Sequence, residues 1–157
     1  SESDPQVYGY GLPVFWTLNN DIKLNADGKF LLSDKVEKIA IANPKTAPYG
    51  EKAVEYLKGA GIYDQVEPKL VYGESISQVN EYVQNRTVEV GISAKSIVLS
   101  PEVEEKGNYL ELGDKYRIEQ GCVVLSNTGE NDLKQEFINY VFSEEGRKVF
   151  EDFGYGL

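Results

Sequence analysis

The stretch "KIAIANPKTAPYGEKAVEYLKGAGIYDQVEPKLVYG", residues 38–73, decides the fold. It opens on "KIAIAN", a short and continuously apolar run of the kind found in strands buried on both faces of a parallel sheet. Pro44, Pro48 and Gly50 then interrupt it. From there Ala53, Val54, Leu57 and Ala60 recur at helical spacing, and Gly59 and Gly61 end the helix. "PKLVYG", residues 68–73, is a second strand. Strand, helix and strand in this order make a crossover unit, which predicts parallel pairing.

The alternation continues downstream. "ESISQVNEYVQNR", residues 74–86, predicts a helix with Ile76, Val79 and Val83 on one face, and Ser75 and Gln78 at capping-box spacing. "VEVGIS", residues 88–93, predicts a third strand with Val88, Val90 and Ile92 alternating. "AKSIVLSPEVEEKG" reads as a short helix or turn followed by an acidic loop, and "YRIEQGCVVLS", 116–126, as a longer strand. Two amphipathic helices close the chain. Leu133, Phe137, Ile138 and Val141 mark the buried face of the first. Ser143 is the N-cap of the second, with Val149, Phe150 and Phe153 on its buried face. Upstream, "VYGYGLPVFWTL", 7–18, is an extended strand interrupted at Gly11 and Pro13, and turn signals follow at Asn19-Asn20 and Asp27-Gly28. The fold class is therefore α/β with a parallel sheet.

In such sheets ligands bind beyond the carboxyl ends of the strands, against helix N-termini. Three junctions qualify here: "IANPKTAPYG", "VYGESIS" and "GISAKS". A helix start offers unpaired N–H donors and the positive end of the macrodipole. In the first junction Pro48 suits a first-turn position, Gly50 leaves room for close approach, Lys45 adds a positive charge, and no acidic residue is placed to cap the helix. The others add the hydroxyls of Ser75 and Ser77, and of Ser93 and Ser96. A cap is the ordinary role of a residue such as Ser75, and Pro-Tyr-Gly is an ordinary turn; three such junctions in successive units of one sheet point to an anion site.

Composition narrows the function further. The 157 residues carry a formal net charge of -10, which disfavours nucleic acid and anionic membranes as partners. No apolar run approaches a membrane span. The chain has no histidine, so the commonest general base and metal ligand is missing, and no nucleophile has an evident base; an enzyme is disfavoured. Glu102, Glu104 and Glu105 read as a solvated charge run, and the single cysteine, Cys122, as a buried inert thiol. The start "SESDPQVYGYG" has neither an initiator Met nor a signal peptide and reads as a processed or truncated product.

Several of these motifs, in order and with matching gaps, resemble the periplasmic molybdate-binding proteins, the substrate-binding components of ABC-type molybdate importers. They are "IANPKTAPYG", "LKGAGIYDQVEPKLVYGESISQ", "EVGISAKS", "YRIEQGCVVLS" and "FINYVFSEEGRKVFEDFGYG", and the resemblance covers nearly all of residues 7–156. It implies a type II periplasmic-binding-protein fold, in which two α/β lobes close around a tetrahedral oxyanion. Members of that family begin with a first-lobe segment bearing a serine-rich motif that has no counterpart here. The resemblance therefore implies that residues 1–36 and 121–157 are the remaining part of lobe I and that 37–120 form lobe II.

Position by position, it makes Tyr49 and Ile76 backbone N–H donors to the oxyanion. Ala94 falls where some members have a ligand-binding tyrosine; that hydroxyl is lost here, and Ser96 stands near enough to substitute. Ser75 adds its hydroxyl beside Ile76. The implied ligand is molybdate or tungstate, with no cofactor and no metal bound directly by the protein. The implied partner is an ABC transporter permease, the only route to the membrane, and the implied location is the periplasm or another extracytoplasmic site. Absence of the first-lobe segment would leave sheet edges and apolar surface uncovered and favour a dimer, strand swapping or reduced stability. Two other readings stay open: a different oxyanion such as sulfate, and the ligand-sensing domain of a transcription regulator.

Overall fold

The computed structural model describes residues 4–123 and 131–157. The run 7–18 divides into β1 (Gln6–Gly11) and β2 (Pro13–Thr17), separated only by Leu12. Leu12 is also where the chain passes from one sheet to another. β1 pairs with a late strand in a two-stranded sheet, whereas β2 enters a five-stranded one. A 3-10 turn over Lys29–Leu32 leads to β3 (Ile39–Ala42), α1 (Pro48–Gly59), the four-residue α2 (Tyr63–Val66) and β4 (Leu70–Gly73). Next come α3 (Ile76–Gln84), β5 (Val90–Ala94), the short α4 (Lys95–Val98) and β6 (Asn108–Glu111). β7 (Ile118–Cys122), α5 (Asn131–Val141) and α6 (Glu144–Asp152) complete the chain.

The larger sheet runs β4-β3-β5-β2-β6. β3 is parallel to β4 and to β5, as the crossover pattern predicts, while β2 is antiparallel to both its neighbours, β5 and β6. β3 and β5 are buried along their whole length because helices cover both faces. Ile39 and Ile41 point to one side, with Phe15 and Ile92, against Ala53, Tyr56 and Leu57 of α1. Ala40 and Ala42 point to the other, with Val14 and Trp16, against Val79 and Val83 of α3. Full burial of such side chains contributes about 1.5–3 kcal/mol each. Trp16 also donates its indole N–H to the Lys106 carbonyl at 2.6 Å, tying β2 to the loop before β6.

Several expectations are corrected. Pro68 and Lys69 belong to a 3-10 turn, so the strand begins at Leu70. β5 begins at Val90 and is buried on both faces rather than alternating. The strand expected over 116–126 begins at Ile118, and Tyr116 closes a 3-10 turn; 124–126 lie outside the described residues. Cys122 is partly exposed; among the described residues β7 has a strand partner, β1, on one side only. Finally, Leu133 and Phe137 of α5 are 62% and 65% exposed, and Val149 and Phe153 are also exposed, although Val141 is buried. The amphipathic faces exist, but among the described residues little packs on them.

Candidate functional site

The connection from β3 goes through α1 to β4 on one side; the connection from β4 goes through α3 on the opposite face of the sheet and returns past β3 to β5. β3 and β5 are thus neighbours from which the chain leaves in opposite directions. That is a topological switch point, where a crevice opens beyond the strand ends.

The loop after β3 is built to deliver a helix start to this crevice. Asn43 donates its N–H to the Gly73 carbonyl at 2.8 Å, and its side-chain oxygen accepts the Lys45 N–H at 3.0 Å, which turns the chain sharply. α1 then begins at Pro48, after an N-cap, Ala47, that provides no side-chain hydrogen bond. Gly50 seats this turn, because a methyl group there would overlap the carbonyl oxygen of Ala42. The leading N–H groups of α1, Tyr49 among them, keep their donor capacity. One acidic residue, the exposed Glu51, does lie in the first turn, one position beyond Gly50.

α3 starts at the end of the next strand, since Ala42 and Gly73 are paired across β3 and β4. Tyr49 and Ile76 therefore sit at the same edge of the sheet. Ser75 caps α3, its hydroxyl oxygen accepting the Gln78 N–H at 3.2 Å. The expected reciprocal bond is displaced by one residue: the Gln78 side chain accepts from the Glu74 N–H at 2.8 Å. Both bonds leave the Ile76 N–H pointing out of the helix start, and the hydrogen of the Ser75 hydroxyl remains a donor.

Ala94 ends β5 opposite Pro13. Its neighbour Lys95 donates its N–H to the Leu12 carbonyl at 2.9 Å, and the Lys95 ammonium pairs with Glu111 at 2.6 Å. The charge nearest the strand end is thus neutralised within the protein. Ser96 turns away to a different place. It lines a cavity of about 560 Å³ between α3 and α4, with Ser77, Asn80, Ser100 and Tyr155. Its N–H lies beside Gly154, where a methyl group would come within 3.1 Å of it. Of the five residues singled out from sequence, Tyr49, Ser75, Ile76 and Ala94 share the carboxyl edge, and Ser96 faces the adjoining cavity.

Sequence reasoning missed the Tyr49 side chain. Its ring reaches the crossing between β1 and β2, and a methyl group on Gly11 would overlap its hydroxyl. Burial, reinforced by the neighbouring Tyr155, pushes this phenol up to about 12. Only the Pro-Tyr-Gly motif hinted at it, and that motif directs attention to the backbone.

This arrangement is the α/β fold of the periplasmic binding proteins. The periplasmic molybdate-binding protein of Azotobacter vinelandii superposes on it with a TM-score of 0.83, at 23% identity, over 98% of this chain and 68% of that one. The sulfate-binding protein SubI from Mycobacterium tuberculosis shares the fold at a TM-score of 0.66 and 16% identity, over 95% and 56% of the two chains. The profile of the family described as bacterial extracellular solute-binding protein matches residues 2–156, and the chain belongs to that family. Molybdate-binding protein ModA of Rhodobacter capsulatus is 32% identical over 150 residues, covering 95% of this chain and 58% of its own length. ModA of Azotobacter vinelandii is 32% identical over 153 residues, covering 96% and 60%. The chain thus spans about 60% of the length of these curated relatives.

Proposed function

We propose that this chain carries most of the oxyanion site of a solute-binding protein that takes up molybdate or tungstate as the tetrahedral dianion and delivers it to an ABC permease outside the cytoplasm. The observation that carries the reading is the pair of helix starts, α1 and α3, set at the ends of the adjoining strands β3 and β4, with the Tyr49 and Ile76 N–H groups at one sheet edge. Relatives at 32% identity that bind molybdate support the choice of ligand.

In this reading β2 to β6, residues 13–111, form one lobe, and β1 and β7 with 131–157 belong to a second. The boundary expected at residue 36 moves to Leu12, because β2 pairs with β5 and β6, and Phe15, Ile22, Leu31 and Val36 pack in the same core as Ile39 and Ile41. The ligand is held by neutral donors: main-chain N–H groups, worth about 1.5–3 kcal/mol each toward a charged acceptor, and the helix dipoles. A donor-only cradle suits a fully deprotonated dianion. Monohydrogen phosphate brings an O–H that would find no acceptor and is rejected for that reason. No bond is made or broken in the cargo.

Calorimetric titration of the 157-residue chain tests this. Saturable binding of molybdate or tungstate is expected, with phosphate far weaker. Absence of heat with both metal oxyanions overturns the reading; equal or stronger heat with sulfate reassigns the ligand.

A further inference from the structure

We infer that the Tyr49 side chain is itself part of the ligand site, its phenol O–H donating to the same oxyanion as the main-chain N–H of Tyr49. The inference rests on the oxyanion site proposed above and adds a side-chain donor to it.

Three observations converge on this hydroxyl. First, its position: the backbone of Tyr49 stands at the end of β3, while the hydroxyl has crossed to Gly11, immediately before the Leu12 carbonyl that accepts the Lys95 N–H at the end of β5. The ring therefore bridges the mouth of the crevice between β3 and β5. A tyrosine hydroxyl lies one ring-length beyond its own N–H. That span is comparable to a tetrahedral oxyanion with a hydrogen bond of about 2.8 Å at either end, so one residue can flank one anion.

Second, the hydroxyl is uncommitted. The partly buried phenol of Tyr56 donates to the Ala26 carbonyl at 2.6 Å, whereas that of Tyr49 makes no hydrogen bond with any described residue. The hydroxyl oxygen is not sealed off, since among the described residues the buried side-chain atoms without a partner are Asn80 Oδ1 and Ser93 Oγ, so its donor stays within reach of a ligand. Gly11 is the residue type that admits it, since any side chain would expel the hydroxyl. Gln120 on β7 brings its side-chain amide to the same glycine, within 3.4 Å of where a methyl group would stand.

Third, the chemistry fits. The environment keeps this phenol protonated at neutral pH, so it can only improve a donor set. β5 ends in Ala94, whose methyl supplies no donor, and the Lys95 ammonium is engaged by Glu111. On the β5 side of the crevice the phenol thus supplies a neutral donor that the strand end itself does not.

The test compares the chain with Tyr49→Phe, which keeps the ring and the main-chain N–H. With molybdate as probe, affinity should fall by about tenfold to a hundredfold, while the melting temperature stays close to that of the parent. A merely structural ring would leave affinity unchanged. As a second measurement, molybdate added to the parent chain should red-shift a tyrosine band in the near-ultraviolet difference spectrum, and Tyr49→Phe should remove that band. This spectrum decides the matter even if the variant folds poorly: no tyrosine shift in a parent that binds molybdate overturns the inference. Unchanged affinity in a folded Tyr49→Phe overturns it as well and leaves the oxyanion site standing. A parent chain that binds neither molybdate nor tungstate overturns both.

Discussion

At Gly50 a methyl group would run into the Ala42 carbonyl at the end of β3. Gly50→Ala should therefore cost about 1–3 kcal/mol, as overpacking does, and should displace the first turn of α1. Urea unfolding reads the first effect, and loss of molybdate affinity beyond that of Tyr49→Phe reads the second. The tyrosines make a separate prediction at alkaline pH. Tyr49 and Tyr56 are both pushed up to about 12, chiefly by burial, the second with help from Asp27 and Tyr116. A phenol whose folded value exceeds its unfolded value of about 10 contributes stability that is fully present below pH 10. That contribution is lost as pH rises through about 12, because the unfolded chain ionises first. Spectrophotometric titration should place Tyr49 and Tyr56 among the late-ionising phenols, one such phenol missing in Tyr49→Phe and another in Tyr56→Phe.

Among the elements, the start of α3 carries the sharpest prediction. Ser75 caps it through a 3.2 Å bond from the Gln78 N–H. Ser75→Asp keeps an oxygen in the capping position and should leave the melting temperature nearly unchanged. It also sets a negative charge beside the Ile76 N–H, so molybdate binding should vanish in calorimetry. The crossover units were legible in the sequence because both of their strands are bounded by turn residues and their helices keep a clean apolar stripe. What escaped was the antiparallel half of the sheet. β2 is buried along its whole length, yet its sequence runs on from β1 with only Leu12 between, and no local signal says that the two strands enter different sheets. β6, "NYLE", is half-buried and short, and its place is fixed by pairing with β2, a contact between distant parts of the chain. For the site, helix starts could be read from Pro48 and Ser75, whereas the direction of Ser96 and the reach of the Tyr49 ring depend on tertiary packing that composition does not encode.

For the molecule as a whole, burial is unevenly shared between its two sheets. Phe15 is fully buried in the core beneath α1, and Phe15→Ala should cost about 3–5 kcal/mol. Phe137 on α5 is 65% exposed, and Phe137→Ser should shift stability by no more than about 0.5 kcal/mol. Chemical denaturation of the two variants side by side checks the contrast. Exposed Leu133, Phe137 and Val149 also lead us to expect a mass that rises with concentration in light scattering, and less of that rise in Phe137→Ser.

The single residue between β1 and β2 has a mechanical consequence. The chain joins the sheets there and again over 112–117, between Glu111 and Ile118. Pro13, just past the first link, has a backbone torsion locked by its ring. Any swing of one sheet against the other must be absorbed by those few rotatable bonds, so the pivot has a narrow axis, and the Tyr49 ring, spanning from α1 to Gly11, lies across it like a latch.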